Sequence, residues 1–99
     1  NIKITKSGVA EALDMIHAIK AAGLGLMIGG MVESELCMST SACIAAGSGG
    51  FAFVDLDTPL FMRSSPFLGG ISRSGPAIDV GAISLGHGVQ LSHPLPISK

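Results

Sequence analysis

Tryptophan and tyrosine are missing from this chain of 99 residues, and aromatic residues make up only 4% of it. Charge is scarce too, at 13% of residues, with a net value of −1 and no basic run. Nothing in that balance points to nucleic acid. Long apolar runs are lacking: the longest, residues 24–32, is about half of the ~18 residues that a bilayer span requires, and glycine interrupts it. The first residues do not carry the basic, apolar, small-residue layout of a signal peptide. Cysteine is nearly absent. Cys37 and Cys43 match no zinc or redox spacing. On a helix they would lie on different faces, about 240° apart, and they are expected to be free thiols in a reducing cytoplasm.

What remains is apolar and small. Hydrophobic residues make up 47% of the chain, and there are 14 glycines. A self-contained domain of this size carries more surface charge, because so little of it can be hidden. The composition is that of the interior of something larger, and the length allows one small domain at most. The chain starts at Asn1 without an initiator methionine, and its apolar pattern is already under way at Ile2. A piece of a longer, processed or split protein is therefore expected.

The pattern along the chain predicts strand, helix, strand, helix, strand and a different kind of tail. Residues 2–5 start a β-branched run, and Ser7-Gly8 breaks it, with Ser7 as a plausible N-cap. Val9, Ala12, Leu13, Ile16 and Ile19 recur at helical spacing, and Lys20 followed by Gly23 marks the end. Residues 24–28 predict a second buried strand, ended by Gly29-Gly30, and a small-residue helix follows from Ser34 or Glu35 to Ala46. The glycines at 47, 49 and 50 lack the lysine and following helix of a phosphate loop and predict a turn. Residues 51–56 form the third expected strand, which Pro59 ends.

Such alternation argues for parallel βα units with strands buried on both faces. After Pro59, residues 61–70 look loop-like, residues 71–80 alternate around Gly75-Pro76 as a hairpin, and residues 85–89 form a second short segment. Residues 92–99 carry two prolines and predict an extended tail. The expected division is residues 1–62 for the strands and helices and 63–99 for the tail.

The few charged residues sit where strands end. Lys3 and the pair Asp55 and Asp57 each lie in an apolar, strand-like run, where an unpaired charge is costly. Strand alternation would place Asp55 and Asp57 on one face, about 7 Å apart, where they repel unless a cation lies between them. A lysine or arginine, a metal, or the ammonium group of a ligand would serve. Glu33 and Ser34 close the second strand, and Thr5 and Lys6 follow the first, with Lys6 the weaker candidate for chemistry. In α/β folds sites collect at the carboxyl ends of parallel strands. His17, His87 and His93 have no partner at ligand spacing and are expected to be structural or solvated.

These residues also resemble a known family. Asn1-Ile2-Lys3-Ile4-Thr5-Lys6-Ser7-Gly8, Glu11-Ala12-Leu13, Ala22-Gly23-Leu24, residues 27–34 with Glu33-Ser34, and Phe53-Val54-Asp55-Leu56-Asp57-Thr58-Pro59-Leu60 are similar, in order and spacing, to the C-terminal part of the enolase superfamily. The likeness is to its muconate-lactonizing subgroup, and Asp55-Leu56-Asp57 favours the dipeptide epimerases within it. Val9 departs from a usual second glycine, and Gly30 stands where cysteine or another small residue is common.

The resemblance implies a modified (β/α) barrel with a capping domain, to which this chain supplies the sixth, seventh and eighth strands and a β-rich tail running back toward the cap. It implies Mg²⁺, bound by acidic residues on other strands, and a first catalytic lysine in a Lys-x-Lys pair. Neither lies in this sequence, so the isolated chain is expected to be inactive. The implied reaction removes the proton alpha to a carboxylate through a metal-stabilised enolate and returns one from the other face. Lys3 would be one acid/base, Asp55 and Asp57 would hold the α-ammonium group of a dipeptide, and the backbone around Met31 would line the pocket. Glu33 would contact substrate, a lysine or a backbone cap.

The nearest implied substrate is of the L-Ala-D/L-Glu type, and the complete enzyme is implied to be a cytoplasmic homo-oligomer. The alternatives are o-succinylbenzoate synthase, N-acylamino acid racemase or muconate cycloisomerase activity, or a non-catalytic truncated piece. For the first two, the Asp pair counts against substrates without a free ammonium group.

Overall fold

A computed structural model describes residues 1–84 and 86–92. His93 and the predicted tail from residue 93 onward lie outside the described residues, as does Leu85 in the predicted segment 85–89.

The first half is a mixed α/β unit. Strand β1 (Ile2–Lys3) runs straight into a single helical turn, α1 (Ile4–Ser7), and then into α2 (Val9–Ala21). Strand β2 (Leu26–Gly29), helix α3 (Glu35–Ser48) and strand β3 (Phe51–Val54) follow. The sheet order is β1-β2-β3 and both pairings are parallel. Ile2 pairs with Ile28 and Lys3 with Gly29, while the register of β2 on β3 slips by one residue after Leu26. Sequential parallel strands joined by right-handed crossovers place both helices on the same face of the sheet.

The core agrees with that placement. Ile2, Leu26, Ala12 and Ile16 form one buried cluster, and Ile44 of α3 and Phe51 pack against it. Ile28, Met38, Ala42, Ala45 and Leu56 form a second. The even-numbered strand residues 2, 26 and 28 thus face the helices. Their odd-numbered neighbours Lys3 and Met27 alternate to the helix-free face and are half-buried.

Caps explain where the helices stop and start. Gly8, not Ser7, is the N-cap of α2, with φ +79°. That conformation suits glycine alone, and the Ser7 hydroxyl donates instead to the Gly8 carbonyl. At the other end Leu24 N–H donates to the Ile19 carbonyl and Gly23 N–H to that of Lys20, each at 3.1 Å. This is a Schellman closure with glycine in the left-handed region. Ser34 caps α3 by accepting from Cys37 N–H. Helix α3 runs two residues past the predicted Ala46, through Gly47, and the Lys20 ammonium donates to its Ser48 carbonyl at 2.6 Å. A cation there complements the negative end of the helix dipole.

Several boundaries differ from expectation. Ile4 and Thr5 are helical, although both are β-branched, and β2 starts at Leu26 rather than Leu24. Strand β3 ends at Val54, so Asp55 and Asp57 lie beyond it, and a 3₁₀ turn (Thr58–Phe61) follows. The predicted loop 61–70 contains β4 (Phe67–Gly69), which pairs antiparallel with β7 (Val89–Leu91). Between them, β5 (Ser72–Ser74) and β6 (Ala77–Asp79) form the expected hairpin around Gly75-Pro76.

This second half docks on α3 and on the end of β3. Ile71 N–H donates to the buried Ser39 hydroxyl, and Ile71, Ile78 and Val80 pack against the Leu56 cluster. Strand β3 lies at an edge of the sheet and is left open: Phe53 is 68% exposed and Val54 49%.

Candidate active site

Three parallel strands end side by side, and a chain of hydrogen bonds ties those ends together. Glu33 follows β2 and is only 3% exposed. Its Oε2 accepts from Met31 N–H at 2.6 Å and from the Thr5 hydroxyl, just past β1, at 3.2 Å. The Met31 carbonyl in turn accepts from the Thr58 hydroxyl, just past β3, at 2.6 Å. The rim therefore runs Thr5, Glu33, Met31, Thr58 across all three strand ends. One oxygen of Glu33 thus accepts from a backbone N–H and a hydroxyl. Its other oxygen, Oε1, is buried without a hydrogen-bond partner among the described residues.

Lys3 is the last residue of β1 and pairs with Gly29. Because Ile2 is packed against α2, alternation sends the Lys3 side chain to the helix-free face. Asp55 and Asp57 flank Leu56. Leu56 is 2% exposed and packed against Met38 and Ala42, whereas both aspartates are exposed. Around Leu56 burial alternates, although β3 itself does not alternate: Ala52, Phe53 and Val54 are all exposed. Asp55 N–H still donates to the Ile28 carbonyl at 2.9 Å, extending the ladder by one bond. Met31 is exposed, with its N–H and carbonyl both engaged in the rim.

The structure brings Lys3, Met31, Glu33, Asp55 and Asp57 to one end of the sheet. It does not bring them around a closed cavity. Two hollows lie elsewhere, one of about 660 Å³ bordered by Gly70, Ile83, His87 and Val89, and one of about 310 Å³ under Phe51, Val54 and Ile78. None of the five residues lines either.

No group of three His, Cys, Asp or Glu side chains that could hold a metal ion occurs among the described residues. His17 and His87 are exposed, and His87 Nδ1 accepts from Val89 N–H. Cys37 and Cys43 are free, and burial pushes the Cys43 thiol above its ordinary value. No described helix is long and apolar enough to cross a membrane.

Two residues of this region carry no sign of their contacts in the sequence. Gly30 leaves no room for a side chain: a Cβ there would meet Met38 Cε at 2.2 Å and Glu33 Oε2 at 2.7 Å. Arg73, on the hairpin, donates from Nη2 to the Leu56 carbonyl between the two aspartates. The glycine could be suspected from its place between a buried strand and a buried carboxylate. Nothing local marks the arginine, because its partner lies 17 positions away.

A parallel, sequentially ordered α/β unit with a lysine and carboxylates at the carboxyl ends of its strands is of the class that builds its sites there. No family model matches the sequence. Individual proteins do. The aromatic dipeptide epimerase of Herpetosiphon aurantiacus is 59% identical over 92 residues, covering 93% of this chain and 26% of the relative. The mandelate racemase/muconate lactonizing enzyme of Roseiflexus sp. superposes with a TM-score of 0.90 at 58% identity, over 92% of this chain and 26% of that one. The dipeptide epimerase of Cytophaga hutchinsonii, solved with Mg and the dipeptide D-Ala-L-Val, gives 0.83 at 32% identity, over 92% and 25%. The chain belongs to the mandelate racemase/muconate lactonizing enzyme family of the enolase superfamily, and its named relatives there are dipeptide epimerases. It spans about a quarter of the length of the relatives that it matches.

Proposed function

We propose that this chain is the C-terminal part of the barrel of a dipeptide epimerase, with Lys3 as one acid/base and Asp55 and Asp57 as the site for the substrate's α-ammonium group. The observation that carries the reading is the convergence of these three residues at the carboxyl ends of β1 and β3, on either side of β2. The 59% identity to an aromatic dipeptide epimerase supports the substrate class. That name also makes dipeptides with an aromatic residue the first candidates, ahead of the Ala-Glu type.

Sequential strand order with both helices on one face is the winding of a (β/α) barrel. The exposed apolar edge of β3 is the place for a neighbouring strand, and the part that follows residue 62 is proposed as the tail toward the cap. The Mg²⁺ ion expected for such an enzyme finds no ligand set among the described residues, and its ligands are proposed to lie on other strands.

Within this chain the chemistry is proton transfer and recognition. Lys3 removes or returns the proton at the α-carbon. Two carboxylates flanking one inward residue present four oxygens on one side, suited to an ammonium group with three donors. A substrate without that group would leave both carboxylates unpaired, which gives specificity. Met31, with both its backbone groups held, and the buried Glu33 fix the floor between Lys3 and the aspartates.

The test is α-proton exchange in deuterium oxide by the full-length protein carrying Lys3→Ala. Exchange of one epimer is expected to fall by about 10²–10⁴-fold, the usual worth of a positioned acid/base, while the other epimer continues to exchange. Wild-type exchange of both epimers in the variant would refute the role of Lys3.

A further inference from the structure

The segment that carries the two aspartates is held from outside the sheet. Its middle residue, Leu56, is locked by its side chain in the cluster of Ile28, Met38, Ala42 and Ala45. Its carbonyl accepts from the Arg73 guanidinium. Arg73 sits in the centre of β5, opposite Ile78 of β6, and Ile78 packs against the same cluster. Side chain and carbonyl of one residue are therefore both gripped, the carbonyl by the hairpin.

A peptide unit is planar, so fixing the Leu56 carbonyl fixes the plane that leads into Asp57. On the upstream side, Asp55 N–H is bonded to Ile28. Downstream, Leu60 N–H donates to the Asp57 carbonyl at 2.9 Å. Asp55 is thus oriented by the sheet, and Asp57 by the hairpin and the 3₁₀ turn. A guanidinium is the donor suited to this task, because it stays charged and has a rigid planar fork.

We propose that Arg73 is a positioning residue: by holding the Leu56 carbonyl it sets the orientation of Asp57 relative to Asp55, and so the preference of the site for a free α-ammonium group. This rests on the reading of the Asp pair given above. Arg73 itself touches no substrate; it acts through the Leu56–Asp57 peptide. The hairpin becomes part of the specificity apparatus rather than packing alone.

The test uses the full-length protein with Arg73→Met, which keeps much of the volume but removes the donor, and Arg73→Lys, which keeps a single donor. Two readouts are taken. The first is kcat/KM for a dipeptide divided by that for its N-acetylated analogue. The second is amide hydrogen exchange at Asp55, Leu60 and, as a control, Ala42.

Arg73→Met is expected to lower the ratio about tenfold, the scale of one charge-assisted hydrogen bond. It is also expected to speed exchange at Leu60, with Ala42 unchanged. Arg73→Lys should restore part of both. Equal losses on the two substrates, or unchanged exchange at Leu60, would overturn the proposal. Asp57→Asn serves as the reference. If it collapses the ratio and Arg73→Met does not, the positioning role fails and the ammonium reading stands. If Asp57→Asn leaves the ratio intact, the ammonium reading fails, and this proposal with it.

Discussion

Replacing Gly30 by alanine adds one methyl group at the most crowded point of the rim. That methyl would lie 2.2 Å from Met38 Cε and 2.7 Å from Glu33 Oε2, so something must move. The end of a methionine is ordinarily easy to displace, but Met38 is fully buried among Ile28, Ala42, Ala45 and Leu56. Shifting it is overpacking, at about 1–3 kcal/mol. Shifting Glu33 instead strains its bonds to Met31 and Thr5. A hydrogen bond to a charged group is worth about 1.5–3 kcal/mol, and the other Glu33 oxygen has no partner among the described residues to compensate. The two costs share one relaxation, so the expected destabilisation is about 2–4 kcal/mol rather than their sum.

A double-mutant cycle isolates the cause. Met38→Ala alone should cost about 2–5 kcal/mol. It also removes the Cε that the new methyl would strike, so Gly30→Ala should cost about 1–2 kcal/mol less in that background than in the parent. Urea unfolding of the four full-length proteins gives the numbers. Additivity within about 0.5 kcal/mol would show that Met38 and residue 30 do not meet, and the reasoning about this close approach would be wrong.

In the full-length protein, Asp55→Asn and Asp57→Asn should each lower kcat/KM for dipeptides by the ~2–5 kcal/mol of a broken, desolvated charge pair, and much less for N-acylated analogues. Equal losses on both substrate types would make the pair structural. For Cys43, whose thiol burial holds above its ordinary value, the thiolate forms only at a higher pH than in a free cysteine. Its alkylation is expected to be slow near neutral pH and to rise at a pH above that at which free cysteine becomes reactive; labelling as fast as that of free cysteine at every pH would contradict this.

The order of elements was legible because each signal was local. Helical spacing from Val9 to Ile19, the Lys20 and Gly23 ending, and glycines after β2 and α3 each report on their own few residues, and the structure places the elements accordingly. What was illegible depended on distant partners. Ile4 and Thr5 favour a strand by shape, yet the sheet has only two residues of β1 to pair with β2, and the turn that follows delivers Thr5 to Glu33. Phe67–Gly69 looked like loop because its pairing partner, Val89–Leu91, lies some twenty positions on.

At the site, both aspartates are exposed on either side of buried Leu56, and β3 as a strand ends sooner than expected, at Val54. Glu33 was recognisable as a strand-end acid, but not as the tie between two strands. Gly30 and Arg73 carried no sign of their contacts, since those arise only when α3 and the hairpin fold back on the strand ends.

The bare edge of β3 has a consequence for how this polypeptide behaves in a tube. Phe53 and Val54 stand exposed on a strand that no other strand of the described residues flanks on that side, and such an edge is the template on which chains add to one another. Copies of the chain placed together without a neighbouring strand have that edge to offer, so clumping is expected to rise with concentration. A covering strand, added as a separate polypeptide, would compete for the same groups. Its effect would be visible first as clarity of the solution, before any catalysis was measured.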